Sequence, residues 1–256
     1  MTLARFQFHA EFDPFLAKEH QQNPFEYRFK AGQSVKHLIE AAGVPHTEVH
    51  HILVNGIPVD FFYQVQQADF VQIYPYRDPG GFPPLVLALE MGQVGSNPGF
   101  VLDNHLGKLA SYLRLLGFDC LYRNDYQDEQ LAHVARDEKR ILLTRDQRLL
   151  MRNAVQRGYW VHSKTPRQQV REIIERFDLY ESIHPFQRCV KCNAILQPVA
   201  KEKVLDRLEP LTRRYFDVFR ICPGCQQIYW QGSHYTRIMA FIDEIRNHSN
   251  PAGRSS

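Results

Sequence analysis

The sequence predicts an α/β protein: a parallel sheet flanked by helices, with a small β-rich domain before it and a cysteine module after it. Three observations carry that expectation. From residue 100 onward, short apolar runs alternate with stretches of helical periodicity, which is how strands buried on both faces read. Ahead of them, the first 75 residues show the polar–apolar alternation of half-buried strands. Behind them, four of the five cysteines fall into two Cys-x-x-Cys pairs. At 256 residues the chain exceeds a single domain of about 100–150 residues, so several units are expected.

In the N-terminal part, expected to span residues 1–78, Leu3-Ala4-Arg5-Phe6-Gln7-Phe8 alternates as a strand and residues 25–29 supply a partner for it. Ser34 then caps a short helix through Ala42 that gathers Val35, Leu38 and Ile39 on one face. Two more strands follow at residues 51–54 and 70–74, with Asn55-Gly56 as a turn. The order β-β-α-β-β in so short a span predicts a β-grasp fold. The segment resembles ubiquitin-like domains, and Val71-Gln72-Ile73-Tyr74-Pro75 followed by Gly80-Gly81 is similar to the end of a sulfur-carrier protein. Here the glycine pair is internal, so it reads as linker, and the domain reads as an interaction module for a protein partner. Residues 79–98, rich in Pro and Gly around one apolar segment at 85–89, are the expected linker.

The α/β core is expected over residues 99–185. Strand Phe100-Val101-Leu102 runs into Asp103, and a helix over 105–116 places Leu106, Leu109, Ala110, Leu113 and Leu116 at helical spacing before Gly117 ends it. A second strand lies at 118–122 and a helix at 128–138. A third strand, Ile141-Leu142-Leu143, leads into Thr144-Arg145-Asp146; a helix begins there, Tyr159-Trp160-Val161 is the fourth strand and 167–177 a further helix. In parallel α/β sheets ligands bind beyond the C-terminal strand ends, where Asp103, Asp125 and Asp146 fall. Hard oxygen ligands of this kind suit Mg²⁺ or Mn²⁺, and a carboxylate-held metal suits cutting a phosphodiester. Asp103 and Asp146 are the expected ligands; Asp125, Asp128 and Glu129 compete for the third place. The same acids also read as helix N-caps. Lys108, Arg114, Arg123, Arg145, Arg148 and Arg152 make the surroundings basic, as phosphate contacts require, and Thr144 is suited either to orient Asp146 or to contact a phosphate. His105 reads as a helix-start residue.

Charge is distributed unevenly. Residues 1–98 carry 6 Lys/Arg against 10 Asp/Glu, residues 99–185 carry 14 against 12, and residues 186–256 carry 11 against 6. A polyanion therefore suits the second and third parts and not the first. The longest apolar stretch, residues 84–89, is far below the roughly 20 residues of a membrane span, and the first ten residues lack a secretory pattern. A cytoplasmic chain without membrane contact is expected.

Over residues 186–246 the pairs Cys189/Cys192 and Cys222/Cys225 have the spacing of a tetrahedral site closed by four thiolates, which points to structural zinc. Cys120, on a strand, reads as a buried apolar residue. Lys201, Lys203, Arg207, Arg213, Arg214 and Arg220 give the module a basic surface suited to RNA. A closing helix is expected at 236–246 and a disordered tail at 247–256.

The segments Phe100-Val101-Leu102-Asp103, Gly107-Lys108-Leu109-Ala110, Leu113-Arg114-Leu115-Leu116-Gly117-Phe118-Asp119 and Leu142-Leu143-Thr144-Arg145-Asp146 resemble the Mut-seven C-terminal RNase family, a branch of the PIN nucleases. Tyr122-Arg123-Asn124-Asp125, Gly158-Tyr159-Trp160-Val161 and Trp230-Gln231-Gly232-Ser233-His234-Tyr235 are similar to it as well. The resemblance implies a PIN-like fold with an acidic metal site, a zinc ribbon behind it and a ubiquitin-like domain ahead of it. The resulting expectation is a metal-dependent endoribonuclease. A non-catalytic RNA-binding adaptor and a toxin-like nuclease controlled by a partner on the β-grasp domain are the other readings.

Overall fold

The computed structural model describes residues 1–21, 24–75 and 98–248. The expected linker segment at 85–89, the Gly80-Gly81 pair and the expected tail beyond residue 248 lie outside the described residues. The strands are β1 (Thr2–Phe8), β2 (Phe25–Phe29), β3 (Val49–Val54), β4 (Ile57–Val59), β5 (Phe70–Pro75), β6 (Phe100–Leu102), β7 (Cys120–Tyr122), β8 (Ile141–Thr144), β9 (Gly158–Trp160), β10 (Gln197–Val199), β11 (Phe219–Ile221) and β12 (Ile228–Trp230). The helices are α1 (Val35–Ala41), α2 (Gly107–Leu115), α3 (Asp128–Asp137), α4 (Gln147–Leu150), α5 (Pro166–Arg176), α6 (Pro210–Tyr215) and α7 (Ser233–His248). They divide between two compact units: the described residues of Met1–Gly95 with Gln127–Trp160, and those of Ser96–Tyr126 with Val161–Ser256.

In the first unit, the N-terminal sheet has the order β2-β1-β5-β3-β4. The β1–β5 pair is parallel and its neighbours are antiparallel, as in a β-grasp. Alternate residues of β1, β3 and β5 turn Phe6, Phe8, Ile52, Val54, Val71 and Ile73 into one core, against which α1 places Val35, Leu38 and Ile39. The Ser34 hydroxyl caps α1 by accepting the His37 N–H at 3.3 Å. Asn55 and Gly56 both take positive φ, the backbone of a tight hairpin turn, and so create a strand absent from the sequence expectation, β4. Its residues show no apolar alternation because Ile57 is exposed and Pro58 follows it.

The same unit contains α3, β8, α4 and β9, with β8 and β9 parallel. The β-grasp domain is fastened to this segment by polar bonds, some of them sheltered from solvent. The Glu48 carboxylate, 6% exposed, accepts the Trp160 N–H at 2.7 Å across 112 positions of sequence. His46 lies between Glu40 (2.7 Å) and the Val155 carbonyl (2.9 Å), and the Lys36 ammonium donates to Asn153. The Phe15 ring lies 5.0 Å from Trp160. Buried carboxylates are costly unless hydrogen-bonded, so these contacts are specific joints rather than incidental touching.

In the second unit β6 and β7 are parallel, in register Phe100↔Cys120, with α2 as the crossover between them. Leu109, Ala110 and Leu113 of α2 are buried, and α2 packs on α5. Gly117 ends the helix with φ +102°; a Cβ there would lie 2.2 Å from the His184 carbonyl oxygen, so both the turn and the close approach need glycine. The C-terminal module is the antiparallel sheet β10-β11-β12 with α6 and α7; the closing helix, expected at 236–246, runs longer, over Ser233–His248.

Candidate active site and cysteine centre

Asp103 follows β6 directly and Asp146 follows β8 by one residue. Each caps the turn after its strand: Asp103 Oδ1 accepts the His105 N–H at 2.8 Å, and Asp146 Oδ1 accepts the Arg148 N–H at 2.8 Å. Capping engages Oδ1 of each carboxylate. Asp103 is buried, at 5% exposure, whereas Asp146 is exposed and its Oδ2 has no hydrogen bond among the described residues. Thr144 is fully buried and its hydroxyl accepts the Asp146 N–H at 2.9 Å. That bond is compatible with the orienting role of the two open to Thr144, whereas a side chain so buried offers no surface to a phosphate, contrary to the substrate-contact expectation.

The competitors for the third acid differ. Asp125 is exposed and gives both oxygens to Arg123, at 2.9 and 2.7 Å from Nε and Nη2. That guanidinium holds the Asp125 carboxyl below its usual range. Asp128 stands 3.8 Å from Arg152. Glu129, exposed in the first turn of α3, has neither hydrogen bond nor ion pair among the described residues. Among the expected phosphate contacts, Lys108, Arg123, Arg145 and Arg148 are exposed.

Arg114 corrects the sequence expectation. It is 4% exposed, and its guanidinium faces inward. Nε donates to the Cys120 carbonyl at 2.9 Å, and Nη1 donates to the Val190 and Lys191 carbonyls at 3.2 and 2.9 Å. Burial pushes its pKa below the ordinary arginine value, opposed by the cysteines nearby. It ties the strand β7 to the Cys189–Cys192 turn. Asn193 works beside it: Oδ1 accepts the Cys120 N–H at 3.1 Å, Nδ2 donates to Asp119 at 2.7 Å, and Arg188 pairs with Asp119. The sequence reading missed Asn193 and Asp119, though Asn directly after a Cys-x-x-Cys pair was a usable signal for a left-handed turn.

The two cysteine turns are built alike. The Asn193 N–H bonds the Cys189 carbonyl at 2.9 Å, as the Gln226 N–H bonds that of Cys222 at 2.9 Å. Asn193 and Gln226 both take positive φ, 71° and 60°. The Cys189 and Cys222 N–H groups in turn bond the carbonyls of Ala194 and Gln227 at 2.8 and 2.9 Å. The repeated geometry brings all four Sγ atoms within 4.8 Å of one another, with Cys189–Cys225 at 3.4 Å and Cys192–Cys222 at 3.2 Å. Zn–S bonds of about 2.3 Å in a tetrahedron put sulfurs in this range, so the cluster is compatible with structural zinc. Its electrostatics agree. Burial pushes the Cys192 thiol up to about 12. Burial opposes the Cys189 thiolate too, but hydrogen bonds from the Tyr229 hydroxyl and the Cys192 N–H outweigh it and bring that thiol to about 6. Metal binding to such a cluster requires its thiols to be deprotonated, so ligation and proton release are coupled. Tyr229 is the further residue the sequence reading missed, holding Cys189 Sγ at 3.1 Å and accepting the Val190 N–H. Cys120 is buried, as expected.

Among the described residues no helix is long and apolar enough to cross a membrane. Comparison with curated proteins found no match, and comparison with solved structures found none. Two family models do match: the Mut7-C ubiquitin over residues 1–80 and the Mut7-C RNAse domain over residues 98–242. With the β-grasp domain, the parallel α/β strands and the four-cysteine cluster in that order, the chain belongs to the Mut7-C RNAse domain family, preceded by that family's ubiquitin-like domain.

Proposed function

We propose that this chain is a metal-dependent endoribonuclease in which Asp103 and Asp146 ligate Mg²⁺ or Mn²⁺ and Glu129 supplies the third acid. The observation that carries the reading is the repeated placement of a capped aspartate just beyond a parallel strand, within a chain of the Mut7-C RNAse domain family. The N-cap bonds fix each carboxylate's direction, and Thr144 fixes the backbone from which Asp146 projects. A bound divalent ion supplies an acidified water and charge stabilisation at the phosphate. Glu129 is preferred over Asp125 because Arg123 already occupies both Asp125 oxygens. Lys108, Arg145 and Arg148 are the phosphate contacts, with Arg123 added when its pair with Asp125 opens. Zinc on the four cysteines is structural, since four thiolates leave no open position. Five cysteines without a disulfide among them suit a reducing compartment, and the cytoplasm is the proposed location.

Mn²⁺ binding, read by electron paramagnetic resonance on the zinc-loaded chain, tests the ligands. Asp103→Asn and Asp146→Asn are expected to weaken it while zinc content stays constant. Undiminished Mn²⁺ binding in both variants refutes the assignment.

A further inference from the structure

Outside the acidic site the second unit holds a cavity of about 180 Å³ that the proposed chemistry leaves unused. It lies against one face of the ribbon sheet, where Val218 and Arg220 alternate along the chain and Arg220 pairs with Tyr229 across the strands. Trp230 lines the cavity together with Phe186 and Tyr235, whose rings stack at 4.6 Å and 22°. Phe186 takes φ +62°, a conformation rarely adopted by an aromatic residue. It is held there from both sides, its N–H on the Leu115 carbonyl at 3.1 Å and its carbonyl accepting from Arg220 at 3.5 Å. Gly232 lets the indole lie close: a Cβ there would come within 2.8 Å of Trp230 Nε1.

We propose that this cavity receives one base of a single-stranded RNA; the proposal rests on the ribonuclease reading above. Aromatic faces and a guanidinium are the groups on which unpaired bases stack. Among the described residues the lining contains one cation and no carboxylate, in a segment of 11 Lys/Arg against 6 Asp/Glu. The volume, about 180 Å³, is below the roughly 300 Å³ at which pockets begin to hold drug-sized molecules, so it admits one heterocycle and not a whole nucleotide cofactor. Val218, 72% exposed, and Trp230, 38% exposed, leave the mouth open to a strand passing over it. Tyr229, part of the lining, also bonds Cys189 Sγ at 3.1 Å and so links the cavity to the cysteine centre.

The test uses the full zinc-loaded chain carrying Asp146→Asn, without added Mg²⁺ or Mn²⁺, and a fluorescent short single-stranded RNA. In a parallel series each base in turn is removed and the sugar–phosphate kept. Removal of one particular base is expected to weaken binding about tenfold, the scale of one stacked base. In the Trp230→Ala and Val218→Asp backgrounds the same removal is expected to cost nothing further; Val218→Asp changes an exposed position, and zinc content reports that both variants fold. Neutral removal at every position, or an unchanged penalty in both variants, overturns the proposal. RNA cleavage by the chain with Asp146 intact is measured separately. Uncut RNA together with the position-specific penalty sinks the ribonuclease reading and leaves the pocket standing; cut RNA without that penalty does the reverse.

Discussion

Arg114→Met separates a buried joint from a substrate contact. The guanidinium makes three hydrogen bonds, to the Cys120, Val190 and Lys191 carbonyls. The Cys120 carbonyl is in a buried setting, so leaving it unpaired costs about 1–3 kcal/mol. The two carbonyls in the cysteine turn are only partly buried and regain water, so each adds less, about 0.5–1 kcal/mol. Methionine keeps most of the apolar stem and limits the cavity term. The sum is about 3 kcal/mol, a large share of a typical margin of 5–15 kcal/mol. Denaturant unfolding of the zinc-loaded chain, followed by far-ultraviolet circular dichroism, is expected to show that loss without a change in slope. RNA affinity per folded molecule is expected to stay unchanged, because the side chain is 4% exposed. A variant of full stability that loses RNA affinity refutes the reasoning.

Other perturbations test separate parts. Glu48→Ala strands the Trp160 N–H and is expected to cost about 1–3 kcal/mol, read by unfolding; no loss contradicts the joint between the β-grasp domain and β9. Gly117→Ala combines φ +102° with a 2.2 Å approach to the His184 carbonyl and is expected to lower the melting temperature, costing well over about 1 kcal/mol. Metal analysis is expected to find about one zinc per chain, lost in Cys222→Ser, with the circular dichroism of the ribbon strands lost as well. Glu129→Gln is expected to slow RNA cleavage more than Asp125→Asn; the opposite order returns the third place to Asp125.

Much of this was readable because the informative signals are local. The runs at residues 100–102 and 141–143 are apolar throughout, and a capping acid follows each within three residues. The Cys-x-x-Cys pairs likewise prescribe their own turns. What escaped was decided by distant chain. Arg114 sits one helical turn after Ala110, at the margin of the buried face of α2, and this placement was the available clue to its burial. Two of its three acceptors lie 76 and 77 positions onward, and nothing in the local sequence identifies them. The Glu48–Trp160 bond spans 112 positions, so a domain that reads as a separate module shares a compact unit with residues 127–160. β4 escaped for another reason: with Ile57 exposed and Pro58 beside it, hairpin geometry rather than patterning forms the strand.

The central claim is tested most directly by incubating a circular single-stranded RNA, which has no ends to degrade, with the zinc-loaded chain and Mg²⁺ or Mn²⁺. Linearisation that requires the added metal and falls about a hundredfold or more in Asp146→Asn and Asp103→Asn, with zinc content unchanged, is the predicted result. Linearisation that persists in both variants, or an intact circle with the native chain under every metal condition, contradicts it.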